Sequence, residues 1–324
     1  MTATITSATI TETVIRRQFP YWRAVLLQKL PEVRASTVVI TGCGTSFYLA
    51  QVIACAFNAM GQAALAVPGA EWARRPGCYL VDTADILVIG LSRSGTTSET
   101  VQAIEASRAR GWRTLAVSCA PDSTILQVAD QALYLPTDPA EGIVMSVSAS
   151  LMLLAGLRMA GVTLPAAIPA TAETAMASLE AAIAGVLQGR RHFVYLGAGP
   201  LYGMATEGCL KLQEMSLSYA QAFHPMEYRH GPVSLIDDSS LVVMLYAQAT
   251  AAEEAVLVAE LQAKGAVVIG FNGPGDLRID LGLSDAANAL GCLPALQLLG
   301  EKVALSKGIN SEVPRHLSKV VVLG

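Results

Sequence analysis

The sequence predicts an α/β chain built as two tandem, doubly wound parallel sheets. Three observations carry the prediction. Near-continuous apolar, β-branched runs alternate with stretches of helical period. A Gly-x-Gly turn follows the first run of each half, Gly42 and Gly44 returning as Gly197 and Gly199. The chain has 324 residues, 52% hydrophobic and 15% charged, enough to bury two cores.

The elements follow in order. About Thr13–Leu30 the apolar spacing is that of an amphipathic helix, read as a helical extension over residues 1–34. Strands are expected at Thr37–Thr41, Ile86–Leu91 and Thr114–Ser118, each apolar throughout, as for strands buried on both faces. Gly142–Leu157 is the longest uncharged apolar stretch and stops at Arg158. A membrane span needs about 20 residues, and Ser146, Ser148 and Ser150 dilute this one, so a buried helix is expected. A first domain over residues 35–165 results. Leu164–Ala170, with two prolines, reads as a linker into an Ala-rich helix over about Ala172–Leu187. The second domain, residues 166–324, has strands expected at Phe193–Leu196, Leu241–Leu245 and Ala266–Phe271. Ile86 returns as Leu241 at the same spacing as the glycines, which argues for an internal duplication.

Composition excludes several classes. A net charge of −4 without basic runs leaves no footprint for nucleic acid. Met1–Glu12 lacks the basic and apolar regions of a signal peptide, and no membrane partner is expected. Six cysteines at 43, 55, 78, 119, 209 and 292 make no CxxC pair, which fits a cytoplasmic protein with reduced thiols. His224 and His230 lack metal-ligand spacing to other His or Cys, so neither metal nor cofactor is expected.

Two strand ends carry hydroxyl-rich loops. Thr41-Gly42-Cys43-Gly44-Thr45-Ser46 follows the first strand, and Ser92-Arg93-Ser94-Gly95-Thr96-Thr97 follows the second. Ligands of open α/β sheets bind at the carboxyl ends of strands, where helix N-termini offer N–H groups to an anion. One such loop alone reads as an ordinary helix cap. Two on neighbouring strand ends favour a phosphate site. Neither matches a nucleotide motif such as GxxxxGK[ST]. The second half repeats the turn as Gly197-Ala198-Gly199-Pro200 without the hydroxyls, so no second phosphate site is expected there. Instead Glu207, Lys211 and Glu214 share one helix face at i, i+4 and i+7. A solvated salt-bridge row would look the same, but Met204, Cys209, Leu210, Leu212 and Met215 make the helix too apolar for exposure. The loop Phe223–Pro232 then packs two His, two Pro and both signs of charge into ten residues.

These motifs resemble those of the SIS (sugar isomerase) domain family. The likeness covers residues 35–324 and is nearest to the isomerase half of glucosamine-6-phosphate synthase, with SIS-type glucosamine-6-phosphate deaminases and ketose/aldose phosphate isomerases beside it. It implies two three-layer α/β/α, flavodoxin-like SIS domains. It implies that Gly44, Thr45, Ser46, Ser92, Ser94 and Thr97 surround the sugar phosphate, with Arg93 where a sugar-contacting glutamine is common. Lys211-x-x-Glu214-x-Ser216 and Glu227-x-x-His230-Gly231-Pro232 resemble the isomerase signature. By that match Glu214 is the proton-transferring base and Lys211 a supporting cation. His230 opens the sugar ring across a homodimer interface, and Glu227 is an orienting carboxylate. The tail Pro314-Arg315-His316-Leu317-Ser318-Lys319 resembles the family's C-terminus and places Lys319 on its Schiff-base lysine. Ser146-Val147-Ser148-Ala149 departs from the family's Thr-Lys-Ser/Ala-Phe run, lacking the Lys and the Phe.

Moving a proton between C1 and C2 needs one base with a pKa raised toward neutrality, which burial of Glu214 would supply. Lys211 would offset negative charge developing on the substrate. The chain reaches its core within about 35 residues with no glutaminase motif, so glutamine-driven amination is not expected. The expected function is deamination and isomerisation of glucosamine 6-phosphate to fructose 6-phosphate and ammonia. Isomerisation of a non-amino ketose/aldose phosphate, deglycation of a fructosamine 6-phosphate, and non-catalytic phosphosugar sensing are the competing readings.

Overall fold

The computed structural model describes residues 8–80 and 85–321. Among them ten strands form two five-stranded sheets. The first holds β1 (Thr37–Gly42), β2 (Ala64–Pro68), β3 (Ile86–Ser92), β4 (Arg113–Ser118) and β5 (Gln131–Tyr134), in the order β2-β1-β3-β4-β5. The second holds β6 (His192–Gly197), β7 (Ala220–Phe223), β8 (Ser240–Leu245), β9 (Val267–Phe271) and β10 (Leu277–Ile279), in the order β7-β6-β8-β9-β10. Every pairing is parallel. Both sheets therefore read 2-1-3-4-5, the flavodoxin-like order, whose strand order reverses between its first and third strands. The duplication inferred from glycine spacing is a duplication of topology.

The six strands expected from sequence are the three central strands of each sheet. The four it missed are the four outer strands. Buried on both faces, β3 and β8 show no exposed position. At the edges, β5 buries one residue of four and β7 none completely, so neither carries a continuous apolar run.

The expected opening helix is two short ones, Ile10–Arg16 and Gln18–Leu27. They are not a detached extension. Trp22 is fully buried and donates its indole N–H to Ser150 Oγ at 2.7 Å. Arg16 and Lys302 each pair with both Glu12 and Glu180, a ring of four charges tying this segment to helices Ile168–Leu187 and Asp285–Ser306. Gly142–Leu157 does contain a buried helix, Val147–Met159, whose residues through Leu157 are all buried. The linker expected at Leu164–Ala170 is shorter, because the next helix starts at Ile168. Pro169 falls in its first turn, where a missing N–H costs nothing. No helix of the described residues is long and apolar enough to cross a membrane.

One core runs through both halves. Within it cross the two helices that follow the Gly-x-Gly turns, Thr45–Ala59 and Pro200–Ser216. A Cβ on Gly203 would lie 2.7 Å from Val52 Cγ2 and 2.9 Å from the Tyr48 carbonyl oxygen. Glycine at that position lets the helices approach, which carries the charged helix of the second half over the hydroxyl loops of the first.

Candidate active site

The first half supplies two uncapped helix N-termini. After β1 the chain turns at Gly44, with φ +54° and ψ −127°, and helix Thr45–Ala59 begins with no side chain capping it. After β3 the turn pivots on Gly95 at φ +64°, where a Cβ would lie 2.0 Å from Ser123 Oγ. Ser92 Oγ accepts from the Gly95 N–H at 3.0 Å and shapes the turn. Helix Ser98–Ala109 then starts at Thr97, whose hydroxyl makes no capping bond either. The loop hydroxyls are thus not N-caps, the ordinary alternative. Both N-termini, without a side-chain cap, face one cavity of about 210 Å³, lined by Gly44, Thr45, Ser46, Ser92, Ser94 and Thr97.

The second half contributes the charged row. Lys211 is fully buried, its ammonium 2.5 Å from Glu214 Oε2 and 3.6 Å from Glu207 Oε1. Thr45 donates its hydroxyl to Glu207 at 3.3 Å, linking the row to the first hydroxyl loop. Glu214 reaches the cavity and keeps 21% of its side chain exposed. The fully buried carboxyl of the row is Glu207. Glu207 is pushed up to about 7 by burial and by Glu214, against the opposing pull of Lys211. Burial favours a neutral Lys211, but the two carboxylates outweigh it and hold the ammonium charged.

The tail closes a third side. Leu317–Val321 line the cavity, and Lys319 donates its ammonium to the Glu141 carbonyl at 2.7 Å. Arg93 also lines the cavity, yet its guanidinium is committed to the carbonyls of Gly142, Ile143 and Lys319. Its visible work is to fasten the tail to the first half. Glu141, which sequence reasoning missed, is buried and accepts from the Ser146 and Ser148 N–H groups at 2.6 and 3.0 Å. It holds the start of helix Val147–Met159 beside the cavity-lining Ile143 and Met145. Val147 and Ala149, where the family has Lys and Phe, are fully buried.

Two expected residues are not brought in. Glu227 and His230 are exposed and do not line this cavity. They flank Tyr228, which is fully buried, on a short helix and turn beside β7. His224 stacks on Tyr202 at 3.9 Å between ring centroids.

The matching turn of the second half is closed by the chain itself. Gly199 repeats the Gly44 conformation at φ +56° and ψ −129°, but Pro200 and Leu201 follow it. Thr250 starts its helix as Thr97 does, and donates its hydroxyl to Glu254 Oε1 at 2.7 Å. The Ala247 N–H donates to Glu254 Oε2 at 2.9 Å, and the Gln248 N–H to Asp285. Carboxylates of the protein take up these donors.

Residues 33–160 match the SIS domain family. The isomerizing glutamine–fructose-6-phosphate aminotransferase of Pyrobaculum aerophilum is 28% identical over 315 residues, covering 89% of this chain and 52% of that protein. Its counterpart in Halobacterium salinarum is 30% identical over 271 residues, 74% of this chain and 44% of the relative. The chain spans about half the length of the curated relatives it matches. Among solved structures, glucosamine-6-phosphate deaminase from Thermotoga maritima superposes with a TM-score of 0.85 and 29% identity, covering 97% of this chain and 100% of that one. Tagatose-6-phosphate ketose/aldose isomerase from Escherichia coli gives 0.83 and 25%, covering 100% and 98%. Residues 33–160 thus form a SIS domain, and a second sheet of the same strand order follows it.

Proposed function

We propose that the chain is a phosphosugar isomerase that deaminates an amino-sugar 6-phosphate, converting glucosamine 6-phosphate to fructose 6-phosphate and ammonia. One observation carries the reading. A carboxylate held by a buried lysine, Glu214, faces a cavity whose other wall is two uncapped, hydroxyl-lined helix N-termini. The phosphate sits on Ser46, Ser92, Ser94 and Thr97, and the open-chain sugar extends toward Glu214. Glu214 takes the C2 proton, giving an enolamine, and returns a proton to C1. The resulting C2 imine adds water and releases ammonia, leaving the ketose. Lys211 fixes the orientation of Glu214 and holds positive charge beside the intermediate. Lys319 stands on the tail, at the third side of the cavity, as the candidate amine for a Schiff base. His230 and Glu227, exposed on their own chain, complete the site of a second copy in a homodimer.

The superposition on the Thermotoga deaminase across the whole chain supports this reading. Ammonia release from glucosamine 6-phosphate tests it. E214Q is expected to keep sugar-phosphate binding and lose turnover by about 10²–10⁴-fold. Absence of turnover on every hexosamine 6-phosphate would overturn the proposal, and normal turnover by E214Q would remove Glu214 from it. The likeness to the tagatose-6-phosphate isomerase favours a second reading, a non-amino ketose/aldose phosphate isomerase, which ketose formation without ammonia would select.

A further inference from the structure

We propose that the second half carries a separate binding site for a small amphipathic anion, a compound with an apolar body and a phosphate, sulfonate or carboxylate head. The site lies at the amino end of β6, between the carboxyl ends of helices Ile168–Leu187 and Asp285–Ser306. Its cavity measures about 670 Å³, against about 210 Å³ for the phosphosugar cavity, and the two share no residue.

The lining divides into two chemistries. Leu187, Phe193 and Val303 make an apolar floor, and Arg190, Arg191 and Lys307 stand around it. Among the described residues lining the cavity none is acidic, in a chain with 26 Asp and Glu against 22 Lys and Arg. A fourth cation, Lys302, also reaches the cavity but is paired with Glu12 and Glu180.

The remaining three are held without a carboxylate. Lys307 places its ammonium 2.5 Å from Ser218 Oγ and 5.6 Å from the Phe193 ring centroid. Burial lowers its pKa, as it does for an ammonium given no counter-charge. Arg190 donates one guanidinium N–H to the Asp238 carbonyl, while its buried Nε has no partner. The Arg191 side chain is exposed and forms no ion pair among the described residues. Helix dipoles account for a cation at each helix end. They do not account for an orphaned guanidinium N–H, nor for an apolar cavity beneath three unpaired charges. An anionic head group answers the unpaired cations around the cavity, and an apolar body fills it.

The probe is 8-anilinonaphthalene-1-sulfonate, titrated by fluorescence into the full-length chain with inorganic phosphate present to occupy the other cavity. One probe per chain is expected. R191E, which removes no contact of the folded chain, is expected to weaken binding about tenfold, the worth of one charge-assisted hydrogen bond. R191E/K307E should weaken it further, and the uncharged N-phenyl-1-naphthylamine should bind at least about tenfold more weakly than the sulfonate. Binding unchanged in R191E, equal binding of the uncharged probe, or no binding at all would each overturn the proposal.

Discussion

Lys211→Met asks whether Glu207, Lys211 and Glu214 form one electrostatic unit. The ammonium is fully buried, 3.6 Å from Glu207 and 2.5 Å from Glu214. At an effective dielectric constant of about 20, attraction at the longer distance is worth roughly 5 kcal/mol. Removing one partner of a buried ion pair costs about 3–5 kcal/mol in practice. Methionine fills the lysine stem, so little of the loss comes from a cavity.

The loss depends on pH in a defined direction. The Glu207 carboxyl stands at about 7 in the folded chain against an ordinary 4.5. The folded state thus binds the extra proton, and the stability linked to it is full below about 4.5 and declines as pH rises through about 7. Without Lys211 the opposing pull on that pKa is gone, so it moves further up and the neutral form persists to higher pH. A neutral carboxyl needs no counter-charge. K211M should therefore lose only about 1–2 kcal/mol near pH 5.5, the worth of its bond to the part-exposed Glu214, but about 3–5 kcal/mol near pH 8.5. Urea denaturation followed by circular dichroism at both pH values measures this, and K211M/E207L should recover most of the alkaline loss. Equal losses at the two pH values, or no recovery in the double variant, would refute the coupling.

Other outcomes follow from the same geometry. G44A has steric room, its nearest neighbour being Leu210 Cδ2 at 3.9 Å, so only the backbone conformation is penalised. About 1–3 kcal/mol of stability should be lost, together with thermal stabilisation by sugar phosphate in a melting assay. T97V keeps the shape and removes a hydroxyl, and steady-state kinetics should show KM raised about tenfold with kcat nearly unchanged. E254A leaves the Ala247 N–H and the Thr250 hydroxyl without their acceptor and should destabilise the chain by about 1–3 kcal/mol. Its KM should match the parent, because the affected loop does not line the phosphosugar cavity. A changed KM would mean that the two halves are coupled through that loop.

Legibility in the sequence followed burial. Central strands such as β3 and β8 announce themselves because both faces are apolar, whereas β5 and β7 are half-wet and share the composition of loops. The hydroxyl loops and the row Glu207–Lys211–Glu214 were readable because each lies within one short segment with a local period. Glu141 was not, since its partners Ser146 and Ser148 give no sign in sequence that their N–H groups point at a carboxylate. The role of Arg93 also changed, because its carbonyl partners lie 49, 50 and 226 residues away.

By itself, the sequence determined the duplicated α/β plan, the paired hydroxyl loops and the charged helix face. All are set by side-chain periodicity and glycine conformation within a few turns of chain. Only the tertiary structure decided what meets what. The close crossing allowed by Gly203 brings Glu214 to the loops, and Arg93 brings the tail across from the far end of the chain. It also decided that burial raises the Glu207 carboxyl, and that the second turn is sealed by Glu254. Those outcomes depend on which groups share a low-dielectric space, and that is settled when distant segments pack together.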